Sequence, residues 1–249
     1  MTCRYCENPN NKLVKAHVIP EGFFRRMDDA GGTLRLLSEN QEQYPKRSPI
    51  GVYDSTILCQ SCEPLFGDWD NYAQELLTEE PKDSVQILAN GLLVGYEVKE
   101  YRYDLLKLFF ISVLWRASVS THAFYEKIRL GPYEAEARDF LRRRDPGNTE
   151  DFAVTLAKFD DPLGKAILDP HPEKWEGINY YRFYLGGYVA YVKTDQQPAP
   201  EPLSEFAMTP GKALRIIRRN LDRSDEKRLL YDIATAPKNQ PLRQSDRKW

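Results

Sequence analysis

The sequence predicts an α+β fold in which a small N-terminal metal-binding lobe packs on a mixed helix-and-sheet domain. All four cysteines occur as two Cys-x-x-Cys pairs within the first 62 residues. After residue 80, helix and strand patterns alternate, as they do in α+β domains. We therefore predict a lobe over residues 1–80, a domain of unknown role over residues 81–237 and a polar tail over residues 238–249.

Bulk properties narrow the class of protein. The 249-residue chain has a net charge of −2, so no global basic field is present and nucleic-acid binding would have to be local. The longest apolar stretch, Leu105 to Trp115, is too short to cross a bilayer and predicts a buried helix. The chain begins without a secretory signal and keeps its cysteines at metal-ligand spacing. These features predict a cytoplasmic protein with no membrane partner.

The lobe has few regular elements. A helix is predicted from Glu21 to Asp28, after Pro20, and a strand from Thr33 to Leu37. Residues 38–50 are polar and contain two prolines, which predicts an exposed loop. A second helix is predicted from about Cys62 to Thr78, where apolar residues recur at helical spacing.

The second domain opens with a hairpin signal. Asn90-Gly91 is a two-residue turn pair, so the flanking segments Val85 to Leu88 and Leu92 to Val98 are expected to form antiparallel strands. The remaining predicted elements are helices at about Tyr101–Ser118, Tyr133–Arg144, Pro210–Asn220 and Asp225–Ala234, and strands at Phe152–Lys158, Tyr180–Leu185 and Tyr188–Lys193.

The cysteine spacing predicts a zinc site. The pairs Cys3/Cys6 and Cys59/Cys62 can supply four thiolates to one tetrahedral zinc ion, and complete pairing disfavours four ordinary buried cysteines. The 52-residue gap suits a treble-clef arrangement, in which a ββ element separates a first knuckle from a second knuckle at a helix start. Four thiolates leave no open coordination position, so this zinc would be structural.

Three segments carry a resemblance to a known family: CRYC at 3–6, AHVIP at 16–20 and DSTILCQSCE at 54–63. They resemble the HNH endonuclease (ββα-metal) superfamily over about the first 75 residues. In such enzymes a strand histidine activates water for attack on a phosphodiester, and one divalent metal stabilises the leaving oxygen. The resemblance implies a metal-dependent nuclease acting on DNA or RNA, in restriction or phage defence, with a protein partner or homo-oligomer left open.

The resemblance also implies site residues. His17 matches the general base, Asp54 stands where a supporting Asn is usual, and Glu63 stands where many members have a helix ligand. Ala16 replaces a residue that often ligates the metal. Asp54 and Glu63 could hold Mg²⁺ or Mn²⁺, which prefer oxygen ligands. Asp70 shares the helix face of Glu63 and is an auxiliary candidate, although a solvated position is the favoured interpretation.

Several basic residues and histidines have two interpretations. Arg25 and Arg26 are candidates for contacts with a nucleic-acid backbone. Arg116, at the end of an apolar helix, could bind a phosphate or a lobe carboxylate, and a buried salt bridge is favoured. Solvated helix faces are predicted for the clusters Arg142-Arg143-Arg144 and Arg215/Arg218/Arg219, and isolated surface positions for His122 and His171.

The alternative function is a non-catalytic, zinc-stabilised module that binds nucleic acid or protein. In that case His17 is structural, Asp54 is a turn residue and Glu63 complements a helix dipole. Ala16 and the mildly acidic chain favour this alternative.

Overall fold

The computed structural model describes residues 1–24, 35–37, 46–47, 51–77, 84–160, 167–201 and 203–235. The predicted α+β class is confirmed, because these residues form several helices and a mixed seven-stranded sheet beside an N-terminal cysteine cluster. None of the described helices combines the length and the apolar character needed to cross a bilayer.

The lobe is built from very short strands. Strands β1 (Ala16–His17) and β4 (Tyr53–Asp54) pair antiparallel. Strands β2 (Arg35–Leu37) and β3 (Lys46–Arg47) form a separate sheet with β8 (Ile167–Leu168) of the second domain. Strand β3 lies inside the segment predicted to be a loop. Residues 22–24 are helical, and the remainder of the helix predicted to end at Asp28 lies outside the described residues.

The helix predicted from Cys62 begins in a tighter form. A 3-10 helix at Glu63–Phe66 leads into α1 at Gly67–Leu77. Pro64 falls in the first turn, where its missing N–H breaks no helical hydrogen bond. Trp69, Ala73 and Leu77 are the buried residues of α1, so the predicted apolar face of this helix is confirmed.

The seven-stranded sheet dominates the second domain. Its strands are β5 (Ser84–Ala89), β6 (Leu92–Val98), β7 (Val154–Phe159), β9 (His171–Trp175), β10 (Ile178–Leu185), β11 (Tyr188–Lys193) and β12 (Leu214–Arg219), in the order β5-β6-β12-β7-β11-β10-β9. The β12–β7 pair is parallel, and the other pairs are antiparallel. Asn90 and Gly91 both have positive φ angles, so the predicted hairpin turn is confirmed.

The helix predicted at Pro210–Asn220 is wrong. Its central part is strand β12, which lies between β6 and β7. The segment contains two adjacent isoleucines, and Leu214 and Ile216 are buried at alternate positions. That period-2 pattern fits a strand, and pairing on both sides satisfies its backbone. The three arginines of this segment therefore extend from a strand, and their predicted solvated helix face is wrong as well.

Besides the helical residues 22–24, the described residues form α1, α2 (Tyr103–Val119), α3 (Tyr133–Arg143), α4 (Leu203–Phe206) and α5 (Asp225–Thr235). Helix α2 is buried continuously from Leu106 to Val119 and contacts α1, α3 and β11. A helix that is apolar on all sides is a core helix, as the sequence predicts. Its buried polar exceptions are Lys107, Ser112, Arg116 and Ser118.

The apolar core forms two clusters. The larger cluster joins the lobe, through residues such as Cys3, Phe23 and Trp69, to α2 and to one face of the sheet. The smaller cluster lies on the other face and includes Leu229 and Leu230 of α5 as partly buried members. The lobe therefore shares its core with the second domain.

Candidate metal centre and the adjacent polar site

The four cysteines form one compact group. Their sulfur atoms all lie within 4.8 Å of one another, and all four side chains are free thiols. The Cys6 and Cys59 sulfurs are 3.8 Å apart, which matches the edge of about 3.8 Å expected when four sulfurs surround an ion at a bond length of about 2.3 Å. The group can therefore hold a metal ion such as zinc.

Backbone pairing brings the two cysteine pairs together. Leu13 bridges to Cys59 in antiparallel fashion, and the Val14 N–H donates to the Leu58 carbonyl at 3.0 Å. The N–H groups of Cys62 and Glu63 both donate to the Cys59 carbonyl at 3.0 Å and close the second knuckle. Strand pairing next to the sulfur atoms thus brings together two cysteine pairs that are separated by 52 residues in the sequence.

Two polar side chains support the sulfurs, and sequence reasoning missed both. The Asn11 amide donates to Cys59 Sγ at 3.5 Å and to Cys6 Sγ at 3.7 Å, and the Ser61 hydroxyl lies 3.2 Å from Cys59 Sγ. Burial disfavours the Cys59 thiolate, but hydrogen bonds from Ser61, Cys62 and Cys3 lower its pKa to about 6. The sequence signal that could have identified these two residues is the presence of polar side chains close to metal-ligating cysteines.

Arginines of helix α3 contact the segment of the first cysteine pair. Arg142 donates to the Tyr5 carbonyl, and Arg138 forms an ion pair with Glu7 at 2.5 Å. Arg144 lies over the Trp69 ring of α1, 5.1 Å from its centroid. The arginine cluster is exposed, as the predicted solvated face requires, and Arg142 and Arg144 also contact residues of the lobe.

The β1–β4 register separates His17 from Asp54. His17 is opposite Tyr53 and Ala16 is opposite Asp54, so each pair shares one face of the hairpin and the two pairs lie on opposite faces. Ala16 and Asp54 are buried, whereas His17 is half-buried. The His17 ring packs against Tyr53 with centroids 6.2 Å apart, and the Lys15 ammonium lies 4.8 Å from the centre of the same tyrosine ring.

Asp54 is held by five hydrogen bonds. Its oxygens accept from the Thr56 N–H and hydroxyl, the Ser120 hydroxyl, and the Thr121 N–H and hydroxyl, over 2.6–3.1 Å. Burial by itself would raise the pKa of Asp54, but these donors lower it to about 2. The carboxylate anchors the lobe hairpin to the segment that follows α2, and its predicted metal-ligand role stays a prediction.

Arg116 joins α2 to both lobe elements. Its guanidinium donates to Asp70 Oδ1 and Oδ2 at 2.7 and 2.9 Å and to the His17 carbonyl at 3.0 Å. The predicted buried salt bridge is confirmed, since the exposed fractions are 3% for the Arg116 side chain and 16% for that of Asp70. The solvated helix face favoured for Asp70 is wrong, because α1 packs directly on α2.

Asp70 is linked to His17 through Arg116, which donates to the Asp70 carboxylate and to the His17 carbonyl. Burial raises the pKa of Asp70, and the Arg116 guanidinium and the His17 imidazole oppose that shift. Glu63 is exposed at the start of the 3-10 helix, and its predicted metal-ligand role also stays a prediction. Within the described ranges, the cysteines are the sole group of three or more His, Cys, Asp or Glu side chains close enough to share an ion.

The other candidate residues lie apart from this site. Arg25 and Arg26 lie outside the described residues. His122 caps the short 3-10 helix Ala123–Tyr125, accepting from the Phe124 N–H at 3.1 Å. His171 lies in β9 and is half-buried beside Tyr184.

The chain matches no family model, no curated protein and no solved structure. A function for this chain is therefore inferred from the geometry described above.

Proposed function

We propose that this protein is a metal-dependent endonuclease that hydrolyses DNA phosphodiester bonds, with structural zinc at the four cysteines. The observation that carries the proposal is the half-buried His17 on strand β1, which follows the Leu13–Cys59 bridge and is joined to Asp70 of α1 through Arg116. Two paired strands followed by a helix are the arrangement that the ββα-metal resemblance implies. The zinc has no catalytic part, because its four sulfurs complete a tetrahedral shell.

His17 is the proposed general base. Its imidazole takes a proton from a water molecule while the water oxygen attacks phosphorus and the bond from phosphorus to the leaving oxygen breaks. Lys15 and Tyr53 share its face of the hairpin, so a cation and an aromatic ring are available to the phosphate backbone. This face therefore carries a local positive charge and an aromatic ring, although the whole chain has a net charge of −2.

Asp70 is the proposed carboxylate for Mg²⁺ or Mn²⁺. Arg116 takes one lone pair on each Asp70 oxygen, and an ionised carboxylate has about four acceptor positions, so a metal position remains. Mg²⁺ commonly binds through one or two carboxylates together with substrate phosphate and water. Such an ion would stabilise negative charge on the leaving oxygen. In this proposal Asp54 supports the hairpin, and Glu63 is available as a second ligand.

Plasmid cleavage tests the proposal. Zinc-loaded protein is incubated with supercoiled plasmid and Mg²⁺ or Mn²⁺, beside His17→Ala and the matched control His171→Ala. We expect cleavage by the wild type and His171→Ala, and a loss of about 100-fold or more in His17→Ala, because a positioned general base contributes about 10²–10⁴-fold. Absence of cleavage with either metal, or equal cleavage by His17→Ala, would falsify the proposal.

A second candidate is a zinc-stabilised binding module without catalytic activity. Two observations on the carboxylates favour it: Asp54 already accepts five hydrogen bonds, and the exposed Glu63 is not part of the group of side chains close enough to share an ion. Fluorescence anisotropy with labelled duplex DNA, single-stranded DNA and RNA distinguishes the candidates. Binding that equals the wild type in His17→Ala, together with no cleavage by either protein, supports the module.

A further inference from the structure

We propose that Arg116 is a positioning residue for the His17 site, so that the second domain completes a site whose other proposed residues belong to the lobe. The inference rests on the proposed role of His17 as general base. Arg116 lies on α2, far along the chain from both His17 and Asp70, and reaches them only because α2 packs on α1.

Every donor of the guanidinium is used. Besides the two bonds to Asp70 and one to the His17 carbonyl, Nε donates to the Ser112 carbonyl at 3.3 Å and Nη2 to the Ser112 hydroxyl at 3.0 Å. An arginine side chain has five N–H donors in a fixed fork, so all five are occupied. No donor is left for a phosphate, which excludes the alternative in which this arginine binds substrate directly.

One nitrogen couples the two lobe elements. Nη1 donates both to the His17 carbonyl at 3.0 Å and to Asp70 Oδ2 at 2.9 Å. The position of β1 relative to α1 is therefore fixed through a single rigid planar group. The group itself is constrained, because Ser112 holds one edge and the Phe66 ring lies 5.2 Å from the guanidinium carbon.

Lysine could not reproduce this arrangement. An ammonium has three donors and no planar fork, so it would leave at least two of the present hydrogen bonds unmade. It would still neutralise Asp70. The substitution Arg116→Lys therefore removes the geometry and keeps the charge, which separates positioning from simple burial of a cation.

The matched control is Arg102→Lys. Arg102 also pairs with an aspartate, Asp104, but at the exposed N-terminal end of α2, where the two side chains are 63% and 50% exposed. A milder second variant is Ser112→Ala, which removes the hydroxyl that holds Nη2 and leaves the Arg116–Asp70 pair in place.

Two measurements are made on folded, zinc-loaded protein. The first is the ¹H–¹³C spectrum of the imidazoles at fixed pH, in which the three histidines of the chain give separate signals that His→Gln variants assign. We expect Arg116→Lys to move the His17 signals and weaken the contact between the His17 and Tyr53 rings, while the His171 signals stay fixed. Ser112→Ala should move the same signals by less, and Arg102→Lys should move none of them.

The second measurement is plasmid cleavage with Mg²⁺. We expect kcat to fall about 100-fold in Arg116→Lys with little change in KM, because a misplacement of about 1 Å can cost that much. If the wild type cleaves and Arg116→Lys retains both its kcat and its His17 signals, the inference is overturned and the proposed function stands. If the wild type does not cleave, the proposed function fails, and the His17 signals alone decide the positioning. Should Arg116→Lys not fold, unchanged His17 signals in Ser112→Ala overturn the inference.

Discussion

The Asp54 carboxylate illustrates how a buried charge is stabilised at the scale of one residue. Its exposed fraction is 5%, and it accepts five hydrogen bonds from Thr56, Ser120 and Thr121. Donors to the charged form outweigh the cost of burial, which is why its pKa falls to about 2. Two of the three donor residues follow α2, so one side chain links the lobe to the second domain.

We expect Asp54→Asn to reduce the free energy of unfolding by about 2 kcal/mol at pH 7, the equivalent of the fall in pKa from 3.8 to about 2. The folded-state pKa lies below the unfolded value, so the carboxylate stabilises the fold above pH 3.8 and loses this effect as the pH falls toward 2. The difference between wild type and variant in urea unfolding should therefore shrink over that range.

The matched control for this substitution is Asp104→Asn. Its carboxylate is 50% exposed and pairs with an exposed arginine, so a change below about 0.5 kcal/mol is expected. Equal effects of the two substitutions at pH 7 would contradict the anchoring role of Asp54.

At the scale of elements, α5 is attached to the sheet by a buried ion network. Glu226, 2% exposed, receives hydrogen bonds from Arg182 of β10 at 2.6 Å and from Arg219 of β12 at 2.7 and 3.0 Å. Burial disfavours the charge on Glu226, but the two guanidinium groups lower its pKa. The network spans four strands of the sheet, since β7 and β11 separate β12 from β10.

We expect Glu226→Gln to destabilise the protein by about 3 kcal/mol, because it leaves Arg219 without its carboxylate partner and Arg182 with Glu173 alone. Hydrogen exchange should accelerate first in α5 and in strands β10 and β12. The control is Asp222→Asn, which removes an exposed partner of Lys227 just before the same helix and should cause no measurable change. Unaltered exchange of α5 in Glu226→Gln would refute the attachment.

At the scale of the whole molecule, the lobe and the second domain share one apolar cluster and several polar contacts. The larger apolar cluster contains residues of both, and Arg116, Arg142 and Asp54 form polar links across the same boundary. A metal-bound group that forms part of a shared core contributes to the stability of everything packed on it. The cysteine cluster therefore affects the sheet as well as the lobe.

We expect removal of zinc by a chelator to lower the melting temperature of the whole protein by at least about 10 °C, in one calorimetric transition. The reason is that loss of the cluster frees both knuckles and, with them, the contacts of α1 and α3. Cys59→Ser protein should melt at the lower temperature with or without chelator. Two separate transitions, or a second domain whose melting is unchanged, would contradict the shared core.

Local patterns allowed part of this fold to be predicted. The Asn90-Gly91 turn, the buried helix α2 and the cysteine group each depend on residues near in sequence or on a ligand chemistry with few alternatives. The segment of β12 was assigned wrongly, because six residues with two isoleucines and three arginines fit a helix or a strand until their neighbours are known.

The sequence by itself determined that four thiolates could meet, because their spacing and number leave one sensible arrangement. It also identified His17 as the residue to examine and predicted that Arg116 would bind a carboxylate. Only the tertiary structure decided which carboxylate this is, that Asp54 faces away from His17, and that Arg116 of helix α2 donates to the His17 carbonyl. These outcomes depend on how α1 packs against α2 and on the register of the two-residue strands β1 and β4. Neither feature can be read from a local sequence pattern, because both depend on long-range packing.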